Sequence, residues 1–135
     1  MSLYTDMQSA LNQRLSIMSG LPSTVIYENT QAEPTVDEIY LRAWLLPVPT
    51  QYLCVGKDTE GYYQGIYQVD VLGPQGNGWA SVYAMADTIV AHFPRGLLLT
   101  YGGKNVRIKR AYLSPGRQED NRYKISISID YCAFI

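Results

Sequence analysis

The stretch from Tyr62 to Gly96, YYQGIYQVDVLGPQGNGWASVYAMADTIVAHFPRG, constrains the fold more than any other part of the chain. Tyr63, Tyr67, Val69 and Val71 fall on one side with Gly65, while Gln64, Gln68 and Asp70 fall on the other. That two-residue period predicts a strand over Tyr62–Leu72 with one apolar and one polar face. After the Gly/Pro-rich turn, Trp79, Val82, Tyr83, Ala86, Ile89, Val90 and Phe93 recur at helical spacing, and Pro94 with Gly96 ends the helix. A half-apolar strand followed at once by a half-apolar helix must bury both faces against a shared core.

The remaining segments extend the pattern. Leu3, Met7, Ala10, Leu11, Leu15 and Met18 predict an amphipathic first helix, stopped by Gly20 and Pro22. Val25–Tyr27 reads as a short strand. Ile39–Leu46 reads as a second one, apolar on both sides and therefore covered on both faces. Pro47 and Pro49 end regular pairing. The connection from Thr50 to Gly61 holds Tyr52-Leu53-Cys54-Val55, too apolar for a solvated loop, which suggests a projecting hairpin arm. Leu97–Leu99 is a brief strand before the turn at Tyr101-Gly102-Gly103. In the next strand Val106, Ile108 and Tyr112 alternate with Arg107, Lys109 and Ala111, which turns Arg110 toward the apolar side. Tyr123, Ile125, Ile127, Ile129 and Tyr131 then alternate with Lys124, Ser126, Ser128 and Asp130.

The expected architecture is a single α+β two-layer domain over residues 1–135, in the order α-β-β-β-α-β-β-β. Its sheet is mainly antiparallel or mixed, with two helices packed on one face. The polar sheet face would carry Gln64, Gln68, Asp70, Arg107, Lys109, Lys124, Ser126 and Ser128, facing water or lining a channel.

Composition narrows the functional classes. Apolar residues make up 47% and charged ones 17% of 135 residues, which fits a globular chain rather than a disordered one. Twelve tyrosines against two phenylalanines suit either wet contact surfaces or ordinary strand surfaces, and both readings stand. Residues 1–100 carry four basic and nine acidic side chains, and residues 101–135 carry seven and three. The resulting −5 and +4 suit a head-to-tail contact between copies, or simply solvated surface. The net charge of −1 argues against a dedicated nucleic-acid binder, although Lys and Arg interleave with Tyr101, Tyr112 and Tyr123 in the last third.

Cys54 and Cys132 form no metal-binding or redox motif, and two free thiols in a cytoplasmic protein are expected. The N-terminal MSLYTDMQ lacks a basic region leading into an apolar run. No segment approaches the roughly 20 apolar residues that span a bilayer, so a soluble protein with no membrane partner is expected.

The residues offer little catalytic chemistry. Gly73-Pro74-Gln75-Gly76-Asn77-Gly78 sits where phosphate loops sit but matches no nucleotide-binding spacing, so a tight turn with Asn77 near the helix cap explains it better. His92, the only histidine, borders an apolar stripe with no nucleophile in a recognisable motif, and Asp87 beside it reads as surface or capping. The acidic pairs Asp37-Glu38 and Glu119-Asp120 read as solvated. No enzyme activity, cofactor or metal is expected.

The run Gly65-Ile66-Tyr67-Gln68-Val69-Asp70-Val71, then Pro74, Gly76 and Gly78, then Ala86-Asp87 and Phe93-Pro94-Arg95-Gly96, resembles the phage tail terminator family. Tyr40-Leu41-Arg42 and the closing alternating strand fit it too, so the likeness covers nearly the whole chain. The resemblance implies an α+β subunit of a homohexameric ring that caps the tail tube, ends its polymerisation and offers a surface for head joining. Its implied partners are other copies of the chain, the tail tube protein and a head-completion or connector protein, with DNA only as passing cargo. The implied location is the virion tail, assembled in the bacterial cytoplasm. Tyr52, Leu53, Val55, Tyr62 and Arg110 become candidate subunit-interface residues. Another head-tail neck protein is the alternative within this class. A small nucleic-acid-binding module and a hydrolase stand further off.

Overall fold

The computed structural model describes residues 3–22, 24–28, 38–47, 51–52, 61–74, 76, 79–119 and 122–134. Helix α1 (Leu3–Ser16) buries Met7, Ala10, Leu11 and Leu15 on one side, and Met18 just beyond its end. Gly20 then takes a φ of 81°, the left-handed stop that its position after the helix predicts. Strands β1 (Val25–Tyr27), β2 (Tyr40–Pro47), β3 (Gln51–Tyr52) and β4 (Gly61–Pro74) precede helix α2 (Ala80–His92). Strands β5 (Leu98–Tyr101), β6 (Lys104–Leu113), β7 (Arg117–Glu119) and β8 (Arg122–Phe134) follow it.

All eight strands join one sheet in the order β1-β2-β4-β8-β6-β5, with β3 beside β4 and β7 beside β8. Among the described residues only the β1–β2 pairing is parallel, so the sheet is mixed, and it curls into a half-barrel. The fold is thus α+β, with two short strands, β3 and β7, that the sequence pattern did not reveal. Both helices share one core cluster with a single sheet face: Leu41 and Ala43 of β2, Tyr67, Val69 and Val71 of β4, Val106 and Ile108 of β6, and Ile125–Tyr131 at alternate positions of β8.

Glycines let the long strands approach closely. Gly65 lies opposite Tyr131, and a Cβ there would stand 2.5 Å from the Tyr131 hydroxyl and 2.9 Å from the Leu46 carbonyl. The aromatic ring thereby covers the bare backbone of the central strand. Burial, and secondarily Tyr27, pushes the Tyr67 phenol far above its usual range, so it stays protonated and donates to Asn12 Oδ1 on α1.

The outer sheet face and the N-terminal end of α2 depart from the sequence reading. The β6–β8 register shifts between Ile108 and Arg110. This β-bulge returns Arg110 and Tyr112 to the polar face and turns Ala111 and Leu113 toward the core. Trp79 lies at the N-cap of α2 and is 65% exposed, stacked edge-on against Tyr83 at 5.8 Å rather than buried in the stripe. Strand β2 is only half covered on its outer side, where Leu46 is exposed.

The two helix C-termini clamp each other. Arg14 donates from Nε (3.0 Å) and Nη2 (2.8 Å) to the His92 carbonyl, and His92 Nε2 meets the Arg14 carbonyl at 2.6 Å. Each contact satisfies a carbonyl that its own helix leaves unpaired, and the guanidinium sits at the negative end of α2. Arg14→Ala and His92→Ala are each expected to lower unfolding free energy by about 1–3 kcal/mol in urea titrations. A coupling of about 1 kcal/mol in the double mutant is expected because the bonds are reciprocal. Strict additivity would show that the two contacts act independently.

Candidate functional site

The segment after α2 builds an exposed cation on a fixed backbone. Phe93 is buried, 6.3 Å from Tyr67 and 5.5 Å from His92 between ring centres. Pro94 ends the helix, and its carbonyl accepts from the Leu97 amide at 3.1 Å. Gly96, at the third position of this turn, has a φ of 85°, as a type II turn requires. Arg95 is left at the exposed corner. The turn is fastened to β6 by Gly96 N to Ile108 O at 2.8 Å and Ile108 N to Leu97 O at 2.9 Å.

Between this turn and the β6 bulge opens a cleft of about 570 Å³, lined by Arg95, Gly96, Arg107, Ile108, Lys109, Arg110 and Asp130. Arg107 donates from Nη1 to the Gly96 carbonyl at 3.1 Å. Arg110 donates from Nε to Asp130 Oδ2 at 2.6 Å and lies 5.0 Å from the centre of the Tyr112 ring, while 70% of its side chain remains exposed. The hydrogen bond to Asp130, and next its charge, raises the Arg110 pKa further and keeps the group cationic. A smaller hollow of about 180 Å³, lined by Gln64, Gly65, Ile66, Lys109, Asp130 and Tyr131, adjoins it through Lys109 and Asp130. Together they form a groove across β6, β8 and β4.

The sequence-selected polar wall divides into two zones. Arg107 and Lys109 are exposed, and Gln64 and Gln68 are half-buried. Asp70, Lys124, Ser126 and Ser128 are buried, which corrects the expectation that they face solvent. Asp70 is fully buried. Its Oδ2 lies 3.2 Å from Arg42 Nη2 and 3.9 Å from Lys124 Nζ, and its Oδ1 accepts from Gln68 Nε2 at 3.3 Å. Ser128 stands in register between Gln68 and Tyr112, and Ser126 opposite Asp70, so larger neighbours flank both small side chains. Arg42 and Asp130, which complete the two ion pairs, were not selected from sequence. Their signal is cross-strand register, which no single segment displays.

Among the candidate interface residues, the backbone of Tyr52 pairs with Gly61, and that of Tyr62 with Gln51 and Phe134. Leu53 and Val55 lie outside the described residues, as do Cys54 and Asn77. Arg110 sits in the basic cleft, not on the apolar side. Gly76 has a φ of 88°, in keeping with a glycine-requiring turn, and α2 has no side-chain cap. Among the described residues, no three His, Cys, Asp or Glu side chains group as metal ligands. No helix there is long and apolar enough to cross a membrane.

The described residues thus form an α+β fold whose outer sheet face carries a solvent-open basic groove. The family model described as phage tail terminator protein matches residues 6–131, so the chain belongs to that family and is a structural protein of phage tails. One similar solved structure, known only by a sequence label, has a TM-score of 0.77 at 29% identity, covering 98% of this chain and 96% of the other. A chain from a structure described as the virion of a native gene transfer agent particle has a TM-score of 0.66 at 14% identity. It covers 99% of this chain and 98% of its own, and shows a shared fold. No curated protein matches.

Proposed function

We propose that residues 1–135 act as one domain and that copies of the chain close into a hexameric ring that caps the tail tube. The ring ends tube polymerisation and presents its other face to a head-completion or connector protein, after assembly in the host cytoplasm. The family match over residues 6–131 carries this reading. The virion neighbour supports it, because a chain of the same fold occurs in an assembled particle.

Association supplies the mechanism. A heterologous contact closes into a ring when its rotation divides a full turn. The arm that begins at β3 supplies Tyr52, Leu53 and Val55 for strand addition onto a neighbouring copy, with Tyr62 at its base. The part of the outer face that solvent reaches, exposed Arg107 and Lys109 with half-buried Gln64 and Gln68, lines the axial channel, while Arg110 serves the rim of the contact. Light scattering with negative-stain microscopy, on the chain alone and with purified tube, is expected to show a six-fold ring with an axial hole. A chain that stays monomeric at every concentration, and also with tube present, sinks the proposal.

A further inference from the structure

We infer that the groove running from the Arg95 turn across the β6 bulge toward Gln64 binds the phosphodiester backbone of DNA. Among the described residues, four cations, Arg95, Arg107, Lys109 and Arg110, and one carboxylate, Asp130, line its wider end. Two of the guanidinium groups are already oriented, Arg107 by the Gly96 carbonyl and Arg110 by Asp130, which lowers the ordering cost of engaging an anion. Arginine's planar fork matches the paired oxygens of a phosphate. The groove is elongated and continues past Lys109 into the second hollow, a shape that suits a chain of phosphates rather than a single anion.

An acidic protein segment is the competing polyanion, and the lining disfavours it. Protein contacts draw their affinity from apolar or aromatic anchors seated in desolvated pockets. The groove is open to solvent, and at its wider end Arg95, Arg107, Lys109, Arg110 and Asp130 outnumber the uncharged lining residues Gly96 and Ile108, as charged groups do on nucleic-acid surfaces. The inference concerns the unassembled chain, in which Arg110 is not yet engaged at the rim of the proposed subunit contact.

Fluorescence anisotropy of a labelled 20-nucleotide duplex with the full-length chain, between 50 and 300 mM salt, tests it. Contacts from Arg95, Arg107 and Lys109 to three phosphates predict a slope of log affinity on log salt of about −3. Lys109→Gln is expected to make that slope shallower by about 1, and Lys109→Glu to weaken binding roughly tenfold or more at 50 mM salt. Arg117→Glu makes the same charge change on β7, outside the groove, and is expected to alter affinity less than about twofold. Circular dichroism on each variant confirms that it is folded. Absence of binding at 50 mM salt overturns the assignment, as does an equal effect of Arg117→Glu and Lys109→Glu. Competition by polyglutamate as effective as unlabelled DNA of equal charge also overturns it, and identifies the groove as a site for acidic protein.

Discussion

Replacing Asp70 with alanine is expected to lower the unfolding free energy by about 3–5 kcal/mol, the largest effect of any single charge removal in this chain. Asp70 lies on β4, with β2 on one side and β8 on the other. It stands directly opposite Arg42 and Ser126, with Lys124 diagonal to it. Truncation leaves two cations without their shared counter-charge. Arg42 keeps a third of its side chain in water and can turn outward, but the Lys124 side chain is only 8% exposed. Urea denaturation followed by circular dichroism measures the loss, and a fall in Tm of about 10 °C or more is expected. Asp70→Ala/Lys124→Met is expected to recover more than half of it, because removing both buried charges is far milder than removing one. A loss below about 1 kcal/mol would mean that the cluster behaves as a screened surface pair.

The second large effect concerns Phe93. Truncation to alanine is expected to cost about 3–5 kcal/mol, from lost transfer free energy and the cavity left beside Tyr67. Phe93→Leu keeps most of the volume and is expected to cost less than half as much. The position matters beyond its area. The Phe93 amide caps α2 through the Ile89 and Val90 carbonyls, and the next residue starts the turn that displays Arg95. Chemical denaturation of both variants gives the two values. Equal costs for Ala and Leu would show that ring shape, not volume, governs the site.

What the sequence revealed follows from how local each signal is. The core face of β8 was readable because Ile125, Ile127 and Ile129 alternate without interruption and all are buried. Buried Met7, Leu11 and Leu15 were equally plain from their helical spacing. The β6 bulge was misread, although a trace of it is present. The apolar positions change parity, from Val106 and Ile108 to Ala111 and Leu113, which an inserted residue produces. Following alternation through that change put Arg110 and Tyr112 on the wrong side.

The polar wall failed for a different reason. Period-two reasoning equates a polar face with an exposed one, but Asp70, Lys124 and the two serines are covered by neighbours that only the sheet order brings beside them. Trp79 was misplaced because helical spacing says nothing about where the first turn begins. The groove itself needed three strands and a turn distant in sequence, so only its cations were legible.

The turn at Pro94–Leu97 separates shape from partner choice. Gly96 meets its conformational demand with a φ of 85°, and the corner position before it in a type II turn suits any L-residue. Arg95 can thus be exchanged in descent without disturbing the Phe93 anchor or the fastening to β6. Mutation at one codon retunes what the surface touches, and mutation at the next breaks how the surface is held.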